Sequence, residues 1–315
     1  MNLVIVESPA KAKTINKYLG KDYKVLASYG HVRDLPSKNG SVDPENNFRM
    51  EWELDSFSKK YVKEITDAAA ESEKIILATD PDREGEAISW HLVEILKKQK
   101  SVTDDTKIQR IVFNAITKSA VLEAINNPRN LDVPLIEAYL ARRALDYLLG
   151  YNMSPSLTKV GFGFQSAGRV QSPTLRLIVE REMEIESFKP QEYWSINVSL
   201  KYDNTKIFQA KGIEYKSKKI EKLTINSEKM ATEIVEEFQN SNFYIDDVSS
   251  IPKKRKPLPP FLTSTLQQEA NNRLYMGTQQ TMSIAQKLYE SGYITYMRTD
   301  GIDICLLYTS DAADE

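Results

Sequence analysis

The chain has 315 residues, of which 41% are apolar and 27% are charged, and its formal net charge is −2 at pH 7. This composition is typical of a globular protein with about two domains, and it excludes a surface coated in basic residues. A membrane span, which needs about 18 consecutive apolar residues, is not expected. The single cysteine, Cys305, excludes an internal disulfide bond and a cysteine-based zinc cluster. We therefore expect a cytoplasmic protein in which any nucleic-acid site is a local groove.

Strands and helices are predicted to alternate over residues 1–117. Three runs predicted to be strands lie at residues 3–6, 74–78 and 108–113, and the first is continuously apolar, which is typical of a strand buried on both faces. A segment with helical spacing follows each run, and the first begins with Ser8 as an N-cap and Pro9 in its first turn. The alternation predicts a mostly parallel sheet in a small α/β domain, with a polar insertion at about 34–60.

The predicted pattern of strands and helices changes after the first domain. We predict a helical domain, an α+β segment and the start of a further domain at residues 131–187, 188–257 and 258–304. In the helical part, Gly150 is expected to stop a helix. Strict alternation of apolar residues at 194–202 predicts a half-buried antiparallel strand. The basic, proline-bounded stretch 252–257 is interpreted as a solvated hinge rather than a phosphate contact. Residues 293–298 are predicted to form a short strand.

The sharpest local signal is the acidic run Asp80-Pro-Asp-Arg-Glu84, directly after an apolar strand. Its carboxylates lie where open α/β sheets place ligand sites. Close carboxylates repel one another unless a cation offsets the repulsion, and hard oxygen ligands on a turn suit Mg²⁺. The run alone is explained equally well as an acidic turn that caps the next helix.

Glu7 favours the metal interpretation, because it ends the first strand, where a parallel sheet brings it near Asp80. Lys11, one helical turn later, is expected to face the same crevice. A fourth carboxylate beside a lysine favours a phosphoryl-transfer site. The sequence has neither a Walker A motif nor G-x-G-x-x-G, so no nucleotide cofactor is expected.

Two further clusters admit a structural and a functional interpretation. The small-residue loop at 166–171 precedes a helix, so its backbone N–H groups can bind a phosphate, or it is simply a turn with a capped helix. Arg142, Arg143 and Asp146 have the spacing of ion pairs within one helix, which is the usual explanation. Phosphate binding is the less common role for such a cluster.

Tyr296 and Arg298 lie two positions apart, so an extended strand would point both side chains to one side. A phenol with an ordinary pKa of about 10 is a poor nucleophile. A guanidinium beside it can hold a phosphate and favour the phenolate. Because the chain has 16 tyrosines, spacing alone makes packing the better explanation for this one.

Five segments together resemble the signature blocks of the bacterial type IA DNA topoisomerase I family, in the family's order. They are VIVESPAKAKTI at 4–15, ATDPDREGEAI at 78–88, SAGRVQS at 166–172, PPFLTSTLQQEA at 259–270 and GYITYMRTD at 292–300. The resemblance covers essentially residues 1–300. It implies a multidomain α/β and α+β fold, in which a Toprim domain precedes helical and arch-like domains around a hole for DNA.

The resemblance also implies a reaction. A tyrosine at the position of Tyr296 attacks a single-stranded phosphodiester, forms a 5′-phosphotyrosine and releases a 3′-hydroxyl. The other strand passes through the gap before the hydroxyl reverses the cleavage. The implied outcome is ATP-independent relaxation of negatively supercoiled DNA by a monomer that is associated with the nucleoid through DNA.

Site residues follow from the resemblance position by position. The implied catalytic residues are the nucleophile Tyr296, the candidate general acid Glu7, and the phosphate-holding Lys11 and Arg298. The implied Mg²⁺ carboxylates are Glu7, Asp80 and Asp82, with Glu84 in support. The implied DNA contacts are His31, Arg142, Arg143, Asp146, Tyr151, Thr158, Ser166, Ala167, Gly168, Arg169, Val170, Gln171 and Arg298.

The sequence departs from the family's pattern at a few positions. Thr158 stands where relatives can have tryptophan, so base stacking is not expected there, and Ala115 stands where many relatives have glutamate. Relatives continue after Asp300 with serine and a long further chain. Here the tail CLLYTSDAADE at 305–315 resembles a translated adapter sequence. We therefore expect a non-biological tail, a truncated arch and no relaxation of supercoiled DNA by this chain alone.

Two other functions are left open by the sequence. One is single-stranded DNA binding without turnover. The other is a different Toprim phosphoryl-transfer enzyme, such as a primase or a nuclease, although the block around Tyr296 argues against it. A covalent protein–DNA adduct would distinguish the main hypothesis from both alternatives.

Overall fold

The computed structural model describes residues 1–102, 107–160, 166–202 and 206–302, so the tail predicted to be non-biological lies outside the described residues. Helices α1 to α9 span Pro9–Tyr18, Lys59–Ala70, Arg83–Lys98, Lys118–Asn126, Val133–Lys159, Gln171–Ser187, Glu228–Gln239, Thr263–Leu274 and Thr278–Glu290. Strands β1 to β12 span Asn2–Val6, Tyr23–Ala27, Arg33–Asp34, Val42–Asp43, Arg49–Met50, Glu53–Leu54, Lys74–Leu77, Lys107–Arg110, Asn197–Tyr202, Lys206–Lys211, Glu214–Tyr215 and Lys218–Lys219.

The chain forms two compact units. The first contains Met1–Ser172 together with the chain from Pro257 onward, and the second contains Pro173–Lys256. The domain boundaries inferred from the sequence stay predictions. Among the described residues, no helix is both long enough and apolar enough to cross a membrane.

The first unit is built on a parallel sheet with the strand order β2-β1-β7-β8. Successive residues of β1 point to opposite faces, as the pleat of a strand requires. Leu3 and Ile5 pack with α2 and α3, whereas Val4 and Val6 pack with α1, α4 and α9. Both faces are therefore covered, which explains the continuous apolar runs and confirms the predicted parallel α/β fold.

Two elements of this unit were not predicted. Strand β2 is only half-buried throughout, so its residues lack the continuous apolar run of an interior strand. Helix α2 begins at Lys59, at the end of the predicted polar insertion. The insertion itself forms short antiparallel strand pairs and packs on α5, where Val42 contacts the cluster that contains Ala144 and Tyr147.

The predicted helix stop at Gly150 is wrong. Helix α5 continues through Gly150 and Pro155 to Lys159. A glycine inside a helix costs only about 1 kcal/mol, which neighbouring packing offsets. Tyr147 and Tyr151, whose ring centroids lie 4.5 Å apart in a stacked pair, lie on either side of the glycine and continue the same helical face.

The predicted strand at 293–298 is also wrong, since this segment is a loop after α9. The Tyr296 N–H donates to the carbonyl oxygen of Asn114 at 2.7 Å, and the Thr299 N–H donates to Oγ1 of Thr263 at 2.9 Å. A contact with the loop at Asn114 and another with the first residue of α8, rather than a strand ladder, thus hold the segment in position.

The second unit has a small core of its own. Strands β9 and β10 form an antiparallel hairpin with Val198 opposite Ala210. Ile196 and Ile225 pack with Ala231 and Ile234 of α7. The strand predicted at 194–202 therefore exists, although it begins at Asn197. Residues 252–257 adopt neither helix nor strand.

Candidate active site

The acidic turn follows β7 and leads into α3. Asp80 is nearly buried, and Asp82 caps the helix by accepting a 2.9 Å hydrogen bond from the Gly85 N–H through Oδ1. The capping interpretation of the acidic run therefore holds for Asp82. Its second oxygen, Oδ2, faces the loop that carries Tyr296.

Lys11 joins the first strand to the acidic turn. Its ammonium group donates to Glu7 Oε1 at 2.8 Å and to Asp80 Oδ1 at 2.9 Å, although the lysine side chain is fully buried. The rings of Phe113 and Tyr289 lie 5.2 and 5.7 Å from the same nitrogen. The structure thus brings together the three residues that the parallel sheet predicted to be neighbours.

Glu7 is placed where its carboxyl group is costly to ionise. Burial raises its pKa to about 7; Asp80 adds to the rise, and Lys11 opposes it. Its Oε2 also accepts a 3.1 Å hydrogen bond from the Asp80 N–H. At neutral pH this carboxyl group therefore exists in both protonation states, as a general acid requires.

The Tyr296 loop meets the acidic turn at Asp82. The Tyr296 hydroxyl donates to Asp82 Oδ2 at 2.6 Å. Arg298 donates from Nη1 to Asp82 Oδ2 at 3.3 Å and to Glu84 Oε2 at 3.0 Å. Tyr296 and Arg298 therefore point to one side, as predicted, although a loop rather than a strand produces this arrangement.

The phenol of Tyr296 is not activated in this arrangement. Burial raises the pKa of Tyr296 above its ordinary value, and the charges of Asp80 and Asp82 raise it further. Arg298 acts in the opposite direction, as expected, but its effect is smaller. The hydroxyl is therefore protonated at neutral pH, so an attack on phosphorus requires a proton acceptor.

The four predicted metal carboxylates form two pairs rather than one cluster. Glu7 and Asp80 share the ammonium of Lys11, and Asp82 and Glu84 share the guanidinium of Arg298. Within the described ranges, no three His, Cys, Asp or Glu side chains lie close enough to hold one metal ion together.

A buried arginine binds the backbone of the acidic turn, and it was not predicted from the sequence. Arg110 donates to the carbonyl oxygens of Thr79 and Asp80 at 2.9 and 2.7 Å, and its Nε donates to Glu86 at 3.0 Å. Arg129 also binds Glu86 but not the turn. A charged residue inside the apolar run at 108–113 was the available signal.

Four neighbouring clefts of the first unit contain most of the predicted site residues. The helix cleft is lined among others by Arg143, Asp146, Tyr151, Thr158 and Ser166. The histidine cleft is lined among others by His31, Glu84, Arg142, Arg143 and Asp146. The carboxylate cleft is lined among others by Glu7, His31, Asp80, Asp82, Glu84 and Arg298. The tyrosine cleft is lined among others by Pro81, Asp82, Asn114, Phe261, Tyr296 and Arg298.

Each cleft shares two residues with the next, so the four clefts are adjacent in this order, and together they are called the groove. Arg143 and Asp146 belong to the first two clefts, and His31 and Glu84 to the second and third. The last shared pair is Asp82 and Arg298.

The loop 166–171 lies at the start of this groove. Arg169 donates two hydrogen bonds, of 2.8 and 3.2 Å, to Asp146, and Gln171 donates to the Ser166 hydroxyl at 2.9 Å. Ala167 is buried, and Ser166 is the one residue of the loop 166–171 that lines the four clefts. Asp34, which sequence reasoning missed, pairs with Arg143 at 2.6 Å.

Two family models match the chain. A Toprim domain model matches residues 2–116, and a DNA topoisomerase model matches residues 130–306. Curated relatives named DNA topoisomerase 1 are 54% identical in Zymomonas mobilis and 51% identical in Rickettsia bellii, over 96% and 100% of this chain. The chain spans 25% and 40% of the length of these two relatives.

A solved structure is also similar to the chain. The full-length topoisomerase I of Thermotoga maritima matches it with a TM-score of 0.80 and 38% sequence identity. The match covers 99% of this chain and 52% of the Thermotoga chain.

Proposed function

This chain belongs to the type IA DNA topoisomerase family, and we propose on that basis that it cleaves one DNA strand through Tyr296. The proposed substrate is a single-stranded segment of negatively supercoiled DNA, and the proposed outcome in the whole protein is relaxation without ATP. The observation that carries the proposal is the hydrogen bond between the Tyr296 hydroxyl and Asp82, because it sets the family's nucleophile against the acidic turn.

Cleavage requires two proton movements. The phenol oxygen of Tyr296 attacks phosphorus while its proton passes to Asp82 Oδ2, the acceptor already in contact with it. The bond between phosphorus and the 3′-oxygen breaks, and Glu7 donates a proton to that oxygen. The products are a 5′-phosphotyrosine and a free 3′-hydroxyl.

Religation is the reverse of cleavage. The 3′-hydroxyl returns its proton to Glu7 and attacks the phosphotyrosine, and Tyr296 recovers its proton from Asp82. One phosphoester replaces another in each direction, so no external energy source is needed. This balance agrees with the missing nucleotide-binding motifs.

Two cations lie beside the reacting groups. Lys11 is buried between two carboxylates, whereas the Arg298 side chain is half-exposed and reaches the carboxylate and tyrosine clefts. In the proposed mechanism Arg298 holds the charged phosphate oxygens, and Lys11 adds positive charge beside them from its buried position between Glu7 and Asp80. Arg298 binds as a planar fork, which suits a phosphate that carries two free oxygens.

Mg²⁺ is the proposed cofactor, held by the carboxylates of the turn at residues 80–84. Mg²⁺ typically takes one or two protein carboxylates and completes its shell with water and phosphate oxygens. Asp82 and Glu84 fit such a set while Asp82 Oδ2 does not carry the Tyr296 proton, because a single nitrogen of Arg298 lies 3.3 and 3.0 Å from one oxygen of each. When bound, the ion supplies positive charge to the phosphate.

Single-stranded DNA binding without turnover is the second candidate. The burial of Tyr296, of which 8% is exposed, and the raised pKa of its phenol both favour it. The groove alone supports binding, whereas cleavage also requires the hydroxyl to reach phosphorus.

A covalent-adduct assay separates the two candidates. The chain is incubated with Mg²⁺ and single-stranded DNA labelled at its 3′ end, denatured and separated on a gel. We expect an adduct with wild type and with Tyr293→Phe, since Tyr293 is 79% exposed in the same loop, and none with Tyr296→Phe. Salt-sensitive binding by all three proteins with no adduct would favour the binding function.

A further inference from the structure

The tyrosine cleft continues the groove beyond the nucleophile. It has a volume of about 450 Å³, within the range of ligand sites, and meets the carboxylate cleft at Asp82 and Arg298, which line both. Its lining includes the apolar residues Pro81, Pro260 and Phe261, and the polar residues Asn114 and Thr299. None of these residues has a role in the cleavage proposed above.

The cleft is held in place beside the reacting hydroxyl. Phe261 comes just before α8, whose first residue, Thr263, donates from Oγ1 to the Met297 carbonyl oxygen at 2.8 Å and from its N–H to the Thr299 carbonyl oxygen at 3.1 Å. The start of α8 is therefore fastened to the Tyr296 loop. Phe261 is 55% exposed and lies two residues before this fixed point at Thr263.

The proposed reaction gives the groove a direction. Glu7 donates a proton to the departing 3′-oxygen, so the strand released with a 3′-hydroxyl lies on the side of the carboxylate cleft. That side continues through the histidine cleft to the helix cleft. The other product is bonded to Tyr296 through its 5′-phosphate, so its first nucleotide lies on the opposite side of the phosphate.

We propose that the tyrosine cleft is the subsite for the first nucleotide on the 3′ side of the scissile phosphate, with its base stacked on Phe261. This inference rests on the proposed function, because the direction of the groove follows from the cleavage chemistry. An aromatic ring accepts any base on its face, so the subsite binds without strong sequence preference. Asn114 and Thr299 offer hydrogen bonds at its edge.

The subsite has a consequence for religation. The nucleotide that carries the phosphotyrosine must stay aligned while the 3′-hydroxyl returns. Stacking on Phe261 would hold it with a free energy of about 1–3 kcal/mol, the usual range for one base on an aromatic side chain, which corresponds to about a 5- to 150-fold change in affinity.

The subsite is tested by combining each of several protein variants with intact and abasic oligonucleotides. One oligonucleotide is intact, a second has an abasic site directly 3′ of the scissile phosphate, and a third has an abasic site two nucleotides on its 5′ side. Adduct yield at equilibrium is measured for wild type, Phe261→Ala and Phe261→Trp. Phe57→Ala is the matched control, because Phe57 is 67% exposed and does not line the four clefts.

We expect the 3′ abasic site to lower the adduct yield at least 5-fold in wild type, in Phe261→Trp and in Phe57→Ala, but less than 2-fold in Phe261→Ala. The 5′ abasic site should act equally in all four proteins. Equal loss in Phe261→Ala and wild type from the 3′ abasic site would overturn the inference. If no protein forms an adduct with intact DNA, the proposed function fails instead.

A binding measurement tests the stacking without cleavage. 2-Aminopurine is placed at successive positions of the oligonucleotide. Its fluorescence is recorded when the DNA is bound by Tyr296→Phe and when it is bound by the double variant Tyr296→Phe/Phe261→Ala. A single position that is quenched only when Phe261 is present supports the subsite. Quenching that is independent of Phe261 at every position contradicts it.

Discussion

The hydroxyl of Tyr296 lies 2.6 Å from Asp82 Oδ2, although the two residues are 214 positions apart in the chain. The contact joins the loop after α9 to the turn before α3. The Tyr296 ring also packs edge-on against Tyr289, with ring centroids 5.1 Å apart. The tyrosine is therefore both part of the core and part of the candidate active site, so its position depends on the packing of α9.

Gly85 allows the acidic turn to lie close to α3. A Cβ atom at this position would stand 2.2 Å from the carbonyl oxygen of Asp80, which is backbone and cannot give way easily. We expect Gly85→Ala to destabilise the protein by about 2 kcal/mol or more and to reduce adduct formation. Urea unfolding and the adduct assay measure the two effects.

Gly150 provides the control for that substitution. It lies inside α5, and a Cβ atom there would meet no atom within 4 Å. Gly150→Ala should therefore raise the free energy of unfolding by about 0.5–1 kcal/mol, in contrast to the loss expected for Gly85→Ala. Equal losses in both variants would mean that the close contact at Gly85 has no special role.

Variants of Arg110 and Arg129 distinguish two roles of a buried arginine, which are to hold the acidic turn in position and to pair with Glu86. Both arginines bind Glu86, but only Arg110 also binds the carbonyl oxygen of Asp80. We expect Arg110→Met to cost about 3–5 kcal/mol of stability, as removal of one member of a buried pair does. Adduct formation by the remaining folded protein should fall at least 10-fold, while its DNA affinity stays unchanged.

Arg129→Met should lose stability but keep its rate of adduct formation per folded molecule. Rates are compared well below each unfolding midpoint, with DNA affinity measured by fluorescence anisotropy. Arg110→Lys keeps the charge without the planar fork and should recover stability more than activity. If the two arginine variants have the same rate per folded molecule, Arg110 has no positioning role beyond the ion pair.

The raised pKa of Glu7 predicts that the rate of adduct formation depends on pH near neutrality. Because burial raises its pKa to about 7 from 4.5, the fraction able to donate a proton falls as pH rises through 7. The initial rate of adduct formation should therefore decrease above that pH. Glu7→Gln cannot donate a proton and should be slow at every pH, without this decrease. The same decrease in both proteins would assign it to another group.

Folding stability gives an independent check on the same carboxyl group. A raised folded-state pKa contributes stability below about pH 4.5, and this contribution is lost as pH rises through 7. Wild type should therefore lose stability relative to Glu7→Gln over this interval, as measured by thermal unfolding without DNA or metal. A constant difference would show that the pKa of Glu7 is not raised.

The loop at the start of the groove predicts a charge effect on DNA binding. Arg169 forms an ion pair with Asp146, which lines the helix cleft and the histidine cleft. We expect Arg169→Ala to weaken binding of single-stranded DNA and to reduce the salt dependence of the affinity by about one phosphate contact. Arg273→Ala removes an arginine whose partner, Glu269, does not line the four clefts, and it should change neither property.

Much of the first unit was predictable because its strands are buried on both faces. The apolar runs at 3–6 and 74–78 identify β1 and β7, and the ends of these strands place Glu7 near Asp80. Strand β2 escaped prediction because it is half-buried. Gly150 misled the prediction because packing on α5 outweighs the low helix propensity of one glycine.

The candidate site was harder to predict than the sheet. Sequence spacing gave the right neighbours for Lys11, but it could not show that two side-chain cations divide the carboxylates into pairs. Tyr296 and Arg298 were assigned to a strand, whereas single contacts to Asn114 and Thr263 fix their loop. Such single contacts between distant segments leave no periodic signal in a sequence.

The most direct test of the central claim is to identify the residue that becomes bonded to DNA. The chain is incubated with single-stranded DNA labelled on the 3′ side of the cleavage site, the adduct is digested with protease and nuclease, and the modified peptide is analysed by mass spectrometry. We predict a nucleotide phosphate on Tyr296 and on no other of the 16 tyrosines. A phosphate on a different residue, or cleavage without any modified tyrosine, would contradict the assignment of Tyr296 as the nucleophile.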